Sequence, residues 1–204
     1  MKFNFLTVDN FYQDPDAVRR YALALNYPEP DAEHTYPGRN SQGIFYDKEI
    51  HKQLEIMVSR HLKYPTQNQA GYFRYSLAGD KYKQYIHVDP GWDVAGVLYL
   101  NPPTQVEPQA GTSFWMHKRL GMERVPANAT EAAVYGFHSY DSIREHLVYG
   151  DGLDAGKWER YALVPMRYNR LVLFDPMLWH SHNENFGSTL ETARLVQLFF
   201  LNYA

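Results

Sequence analysis

Apolar residues change their spacing along the chain near residue 70. Before that point the pattern reads as one short strand and two helices. Residues 3–8 alternate apolar and polar side chains, the period of a half-buried strand. Asp14-Pro15-Asp16 then opens a helix, with acidic caps around a proline that the first turn tolerates. Val18, Tyr21, Ala22 and Leu25 follow at i, i+3, i+4 and i+7 and give this helix one apolar face, and Asn26-Tyr27-Pro28 stops it. Residues 28–43, rich in Pro and Gly and containing Tyr36-Pro37-Gly38-Arg39, read as loop. A second helix is expected over about residues 47–62, with Ile50, Leu54, Met57, Val58 and His61 on one side.

Beyond residue 70 short extended runs take over. Residues 72–77 read as strand, Ala78-Gly79-Asp80 as a turn, and residues 82–88 as extended again. Residues 94–100 form an apolar run of the length of a buried strand, and residues 112–116 a further strand. Residues 131–149 read as helix capped by Thr130, with Gly136 as a weak point. Residues 170–174 and 193–201 return to strand. No internal repeat, low-complexity tract or linker interrupts the 204 residues, so one domain is expected. Two helices followed by many short strands give an α+β, mainly β protein on an antiparallel sheet pair or barrel.

Composition narrows the function more than the fold. Tyr, Phe and Trp together reach 16% of the residues, which suits an aromatic-rich β core before it suits a binding pocket. The net charge of −3, with no basic run, weighs against a nucleic-acid binder. Early Asp9 and Asn10 break any signal-peptide pattern, and no run approaches the ~18 apolar residues of a membrane span. A cytoplasmic protein is therefore expected, with Asn128-Ala129-Thr130 an accidental sequon. The chain has no cysteine, which excludes disulfides, thiolate metal sites and a Cys nucleophile. Any metal must be held by His and carboxylate groups.

His87-Val88-Asp89 offers such groups. In a strand, residues i and i+2 face the same way, so this imidazole and carboxylate can converge on one ion. A third ligand from a distant strand would complete a facial triad of two histidines and one carboxylate, leaving coordination positions open for a cosubstrate and O2. With nine histidines in the chain the triplet alone is not specific.

Its neighbours make it so. Phe73-Arg74-Tyr75-Ser76-Leu77-Ala78-Gly79 precedes the triplet, and Tyr99-Leu100-Asn101, Gly111-Thr112-Ser113-Phe114 and Phe174-Asp175-Pro176-Met177-Leu178-Trp179-His180 follow it. This succession resembles the prolyl-4-hydroxylase-like branch of the Fe(II)/2-oxoglutarate-dependent oxygenases, over about residues 71–202. Tyr36-Pro37-Gly38-Arg39 and the Asp14-Pro15 helix start also look like a little-characterised bacterial and phage subgroup.

The resemblance implies a double-stranded β-helix, a jelly-roll or cupin-like core, with the N-terminal helices packed on one face. Residues 1–70 would be the helical support and 71–204 the core, within a single domain of 1–204 whose insertion at about 118–165 carries specificity. It implies Fe(II) on His87, Asp89 and His180, with 2-oxoglutarate and O2 as cosubstrates. His182, two residues on, rivals His180. A cupin-like site of His180, His182 and Glu184 stays open on ligand chemistry, although the motif order speaks against it. The family's cation for the far carboxylate of 2-oxoglutarate maps to Arg194, since a planar guanidinium suits a carboxylate.

The family pattern is not matched everywhere. Ala110-Gly111 replaces Gly-Gly, and Leu98 stands where some relatives place a tyrosine on the cosubstrate. Tyr75 and Tyr85 are the substitutes considered. The interval from His180 to Arg194 is slightly long, so the loop of residues 183–191 is expected to carry an insertion. Asp89, being a carboxylate, favours hydroxylation over halogenation. Arg39, Trp92 and His117 are candidate substrate contacts, whereas His138 and His146 read as surface residues. The substrate would be a peptidyl residue, a free amino acid or a small metabolite. Two other classes remain open, a cupin-like metalloenzyme without 2-oxoglutarate and a degenerate jelly-roll that only binds a ligand or partner. The sequence does not give an oligomeric state.

Overall fold

The computed structural model describes residues 3–30, 35–66, 69–81 and 83–204. Nine strands occur among them: β1 (Phe5–Asp9), β2 (Arg39–Ile44), β3 (Ala70–Ser76), β4 (Val94–Tyr99), β5 (Thr112–His117), β6 (Trp158–Val164), β7 (Arg170–Phe174), β8 (His180–His182) and β9 (Arg194–Leu201). A six-stranded sheet has the order β1-β7-β4-β9-β3-β2, and a three-stranded sheet the order β6-β5-β8. Every pairing is antiparallel. The chain is thus mixed α/β with mainly antiparallel strands in two sheets, consistent with a jelly-roll-like fold.

The strand period divides the core. One buried cluster joins Val94 and Leu98 of β4 to Leu171 and Leu173 of β7 and Leu195 and Phe199 of β9, together with Val18 and Ala22 of α1 (Pro15–Leu23) and Ile50, Leu54 and Val58 of α2 (Lys48–Val58). The intervening residues Ala95 and Tyr99, Val172 and Phe174, and Val196 and Leu198 join Phe114 in a second cluster. Both helices start as their sequence caps require: Asp14 Oδ1 accepts from the Ala17 amide, and Asp47 Oδ1 from those of Glu49 and Ile50.

Several expectations shift. Residues 39–44 form β2, an edge strand on β3, because the Pro-Gly turn before them returns the chain to the sheet. The second helix ends at Val58, where Ser59 adopts a left-handed conformation. The helix expected over residues 131–149 is broken. α3 (Ala129–Val134) stops before Gly136 at φ 82°, α4 (Tyr140–Ile143) restarts under a Ser139–Ser142 capping box, and a π-helical stretch follows (Arg144–Gly150). The excursion expected over residues 118–165 ends sooner, since β6 already pairs with β5 across Thr112–Val164 to His117–Trp158. Residues 83–88 are not a regular strand. Only His87 bridges, to His180, and Tyr82 lies outside the described residues. No described helix is long and apolar enough to cross a membrane.

Buried polar side chains tie the start of β9 to its surroundings. Asn101, fully buried, donates from Nδ2 to Ala193 O at 2.7 Å and accepts from the Leu195 amide at 2.8 Å. Arg19 of α1 reaches Leu100 O at 2.9 Å and Glu191 O at 2.6 Å. Both clips bracket Arg194. Asn101→Ala leaves two buried backbone groups without partners, so we expect a loss of about 2–4 kcal/mol. Urea unfolding would show it as a lower midpoint with an unchanged slope.

Candidate metal centre

Although residues 83–88 form no strand, main-chain bonds hold them firmly. Ile86 N donates to Gly152 O at 3.0 Å, and Asp89 N to Pro176 O at 2.9 Å. Between them His87 and His180 exchange both of their backbone hydrogen bonds, each at 3.0 Å. Ile86 and Val88 are buried in a third apolar cluster with Trp115, Leu147 and Trp179. Alternation therefore survives, with His87 and Asp89 lining a cavity of about 340 Å³ beside His180.

One donor atom from each of His87, Asp89 and His180 falls within 4.8 Å of the other two, and no other His/Cys/Asp/Glu trio among the described residues does so. His87 Nε2 lies 3.8 Å from Asp89 Oδ1, and His180 Nε2 lies 3.1 Å from Asp89 Oδ2. Each ring has its other nitrogen anchored, His87 Nδ1 to Tyr85 O at 3.0 Å and His180 Nδ1 to Leu178 O at 2.8 Å. A carbonyl only accepts, so Nδ1 carries the proton and Nε2 presents a lone pair. The 3.1 Å approach of that lone pair to a carboxylate oxygen requires a cation between them, either a proton or a metal ion.

The donor types suit the second choice. Burial first, then the His180 charge, lowers the His87 imidazole and keeps it neutral. Burial would raise the Asp89 carboxyl, but the hydrogen bond and charge of His180, with His87 and Arg74, outweigh it and hold the group at about 2. Two imidazoles and an ionised carboxylate are the donor types that suit a first-row divalent ion such as Fe(II).

His182 also lines the cavity but lies outside the trio. Burial, then the charge of Arg194, pushes its imidazole well below the usual range. Glu184 does not gather with His180 and His182, so the cupin-like set has no geometric basis among the described residues.

Arg194 lines the same cavity and is 5% exposed. Its Nε donates to Ala110 O at 2.9 Å, and its guanidinium carbon stands 5.8 Å from the Tyr99 ring centre. The Tyr99 hydroxyl in turn bonds Thr112 Oγ1 at 2.7 Å. No carboxylate pairs with Arg194 among the described residues, and burial lowers its guanidinium to about 10. An unpaired buried charge of this kind costs several kcal/mol.

The other candidates fall in different places. Trp92 lines the cavity against Phe200, with ring centres 5.9 Å apart. Tyr75 points to the helix-side cluster, packed edge-on against Tyr27, and does not line the cavity. Tyr85 packs near Trp115 and His182 and acts on the centre through its carbonyl. Arg39 pairs with Glu29 at 2.8 Å, while Tyr36 and Pro37 of its loop are the residues that reach the cavity. His117 is buried elsewhere, bonded through Nε2 to Asp151 at 3.0 Å and packed edge-on against Trp158. Arg74, Tyr99 and Thr112 stand in the sequence motifs quoted above without a site role of their own. Arg74 had a visible signal, an arginine at the strand period with Tyr72 and Ser76, all three of which line the cavity.

Residues 2–200 match the profile of a family described as a family of unknown function, DUF6445. The chain belongs to this family. No curated protein sequence matches this DUF6445 chain. Among solved structures it is similar to HygX from Streptomyces hygroscopicus with nickel, 2-oxoglutarate and hygromycin B bound, at 13% identity over 98% of this chain and 83% of HygX, with a TM-score of 0.53. HygX with iron bound gives 14% identity over 98% and 82%, with a TM-score of 0.50. SnoK, a non-haem α-ketoglutarate-dependent carbocyclase from nogalamycin biosynthesis, gives 10% identity over 98% and 79%, with a TM-score of 0.55. At these identities the likeness is one of fold.

Two outcomes test the centre. Ni(II) or Mn(II) added to metal-free protein should raise the unfolding midpoint, since an ion held only by the folded state stabilises it. His180→Ala should lose that rise and His182→Ala keep it, read by scanning calorimetry. A β-carbon on Gly152 would come 2.6 Å from Ile86 O. Gly152→Ala should therefore shift the segment carrying His87 and weaken metal affinity about tenfold or more, as measured by competition with a chelator.

Proposed function

We propose that the protein is an Fe(II)- and 2-oxoglutarate-dependent dioxygenase that hydroxylates an unactivated C–H bond. The observation that carries this reading is one cavity holding both the His87–Asp89–His180 donor trio and the buried, carboxylate-free Arg194. HygX, similar in fold, is known with iron and with nickel plus 2-oxoglutarate, and SnoK is described as α-ketoglutarate dependent. The reading extends to the prolyl-4-hydroxylase-like branch and to α1 and α2 as supports on the sheet face away from the cavity.

His87, Asp89 and His180 would hold the iron, and Arg194 would pair with the far carboxylate of 2-oxoglutarate. When bound, the iron and 2-oxoglutarate together supply the O2-activating oxidation. The chain's own part is positional. Tyr85 O and Leu178 O fix the two imidazole tautomers, and Ala110 O fixes the plane of Arg194. Tyr72, Trp92 and Phe200 give the cavity apolar walls that exclude water from the reacting C–H bond. A small molecule or a peptidyl side chain would be the substrate.

Anaerobic titration of the Fe(II) protein with 2-oxoglutarate tests the proposal. Wild type should develop the weak visible charge-transfer band of a chelated 2-oxo acid. Arg194→Ala should raise the concentration needed about tenfold or more, through loss of a charge-assisted pair. Iron binding without any band would overturn the 2-oxoglutarate reading.

A further inference from the structure

A second arginine shares the cavity. Arg74 projects from β3 on the same face as Tyr72 and Ser76, two positions along from the residue that registers with Arg194. Its Nε donates to Asn40 Oδ1 at 2.7 Å, and its guanidinium carbon lies 3.6 Å from the centre of the Tyr36 ring. Asn40 Nδ2 donates to the Tyr36 hydroxyl at 2.9 Å, so the ring and the amide form one clamp. The clamp sets the guanidinium plane through stacking and a neutral acceptor, and it brings no negative charge. No ion pair of Arg74 occurs among the described residues, which leaves the terminal fork of N–H groups for a ligand.

Charge balance says what that ligand is. Among the described residues the cavity lining carries two guanidinium groups, Arg74 and Arg194, against one carboxylate, Asp89. A divalent ion and a dianionic cosubstrate cancel each other, so one positive charge stays uncompensated after both bind. Arg194 stands beside Tyr99 and Thr112, whereas Arg74 is held by the Tyr36-Pro37 loop at the side of the cavity reached from β2. About 340 Å³ has to contain cosubstrate and substrate together, which leaves room for a small molecule.

We propose that Arg74, fixed by Tyr36 and Asn40, is the substrate anchor, and that the substrate is a small carboxylic acid whose carboxylate pairs with its guanidinium fork. The proposal rests on the dioxygenase reading above and adds the class of substrate. A planar carboxylate can take two parallel N–H bonds from the fork, which also orients the rest of the molecule toward the metal trio.

The test uses the anaerobic Fe(II)–2-oxoglutarate protein. The standard L-amino acids and short aliphatic carboxylic acids are added one by one, each beside its carboxamide and, where one exists, the phosphonate analogue that replaces the carboxylate. The readouts are a shift of the visible band and, in air, stimulation of succinate formation. At least one acid should respond where its amide does not. Arg74→Gln should raise the concentration needed about tenfold or more, and Arg74→Lys should recover part of that loss. The 2-oxoglutarate midpoint should move less than about twofold in both, the level expected when no pair to that ligand is broken. Amides as effective as acids, phosphonates in place of acids, or no response across the panel would overturn the proposal. So would an Arg74→Gln effect confined to 2-oxoglutarate, which would assign the residue to the cosubstrate. A wild-type protein without the band would mark failure of the dioxygenase reading itself, a result separate from all of these.

Discussion

The reciprocal backbone bonds between His87 and His180 are the constraint from which the rest of the site follows. Two residues 93 positions apart exchange N–H and C=O groups at 3.0 Å, and their rings consequently lie side by side, tilted by 53° with centres 4.5 Å apart. Asp89 follows two residues on with its own amide tied to Pro176, so three side chains meet without any of them choosing among many rotamers. The surrounding strands serve this pair. β8 is only three residues long and is held in register by β5 through Phe114↔His180, and β5 is held in turn by β6.

Charge is distributed with the same economy. Among the described residues Asp89 is the one anionic side chain lining the cavity, and the hydrogen bond from His180, with His87 and Arg74 nearby, keeps it ionised. The arginines are oriented by neutral acceptors, Ala110 O for Arg194 and Asn40 Oδ1 for Arg74. Neutral acceptors fix direction and leave the positive charge available, whereas a carboxylate partner would quench it. Arg39 shows the contrast: it lies one turn of chain from Tyr36 yet is spent on Glu29 at the surface.

Much of this could be read from the sequence, for identifiable reasons. Strand and helix existence followed from period-2 and period-3.6 spacing, and the expectation that His87, Asp89 and His180 converge from ligand chemistry plus a resemblance spread over five short motifs. What the sequence concealed depended on partners distant along the chain. The strand at residues 39–44 exists only because β3 lies beside it, and β6 only because β5 does. The segment before His87 has strand-like composition, but its hydrogen-bond partners are scattered, Gly152, His180 and Pro176, so no ladder forms. Tyr75 and Arg74 are adjacent, and only the sheet decides which of them faces the cavity. The aromatic residue attracted attention, while the sheet turns its neighbour inward.

The bond from Ile86 to Gly152 has a consequence for how the molecule can vary. The excursion between β5 and β6 is two units in one loop. Residues 127–150 pack over the centre, whereas residues 123–125, bonded to Asp175, Met177 and Trp179, and the turn Asp151–Leu153, pinned by His117 and Lys157 on one side and by Ile86 on the other, belong to its scaffold. A graft that exchanges this cap therefore has its natural seams just after Val125 and just before Asp151. Cutting there would swap the roof over the cavity while leaving the pillar beneath His87 in place.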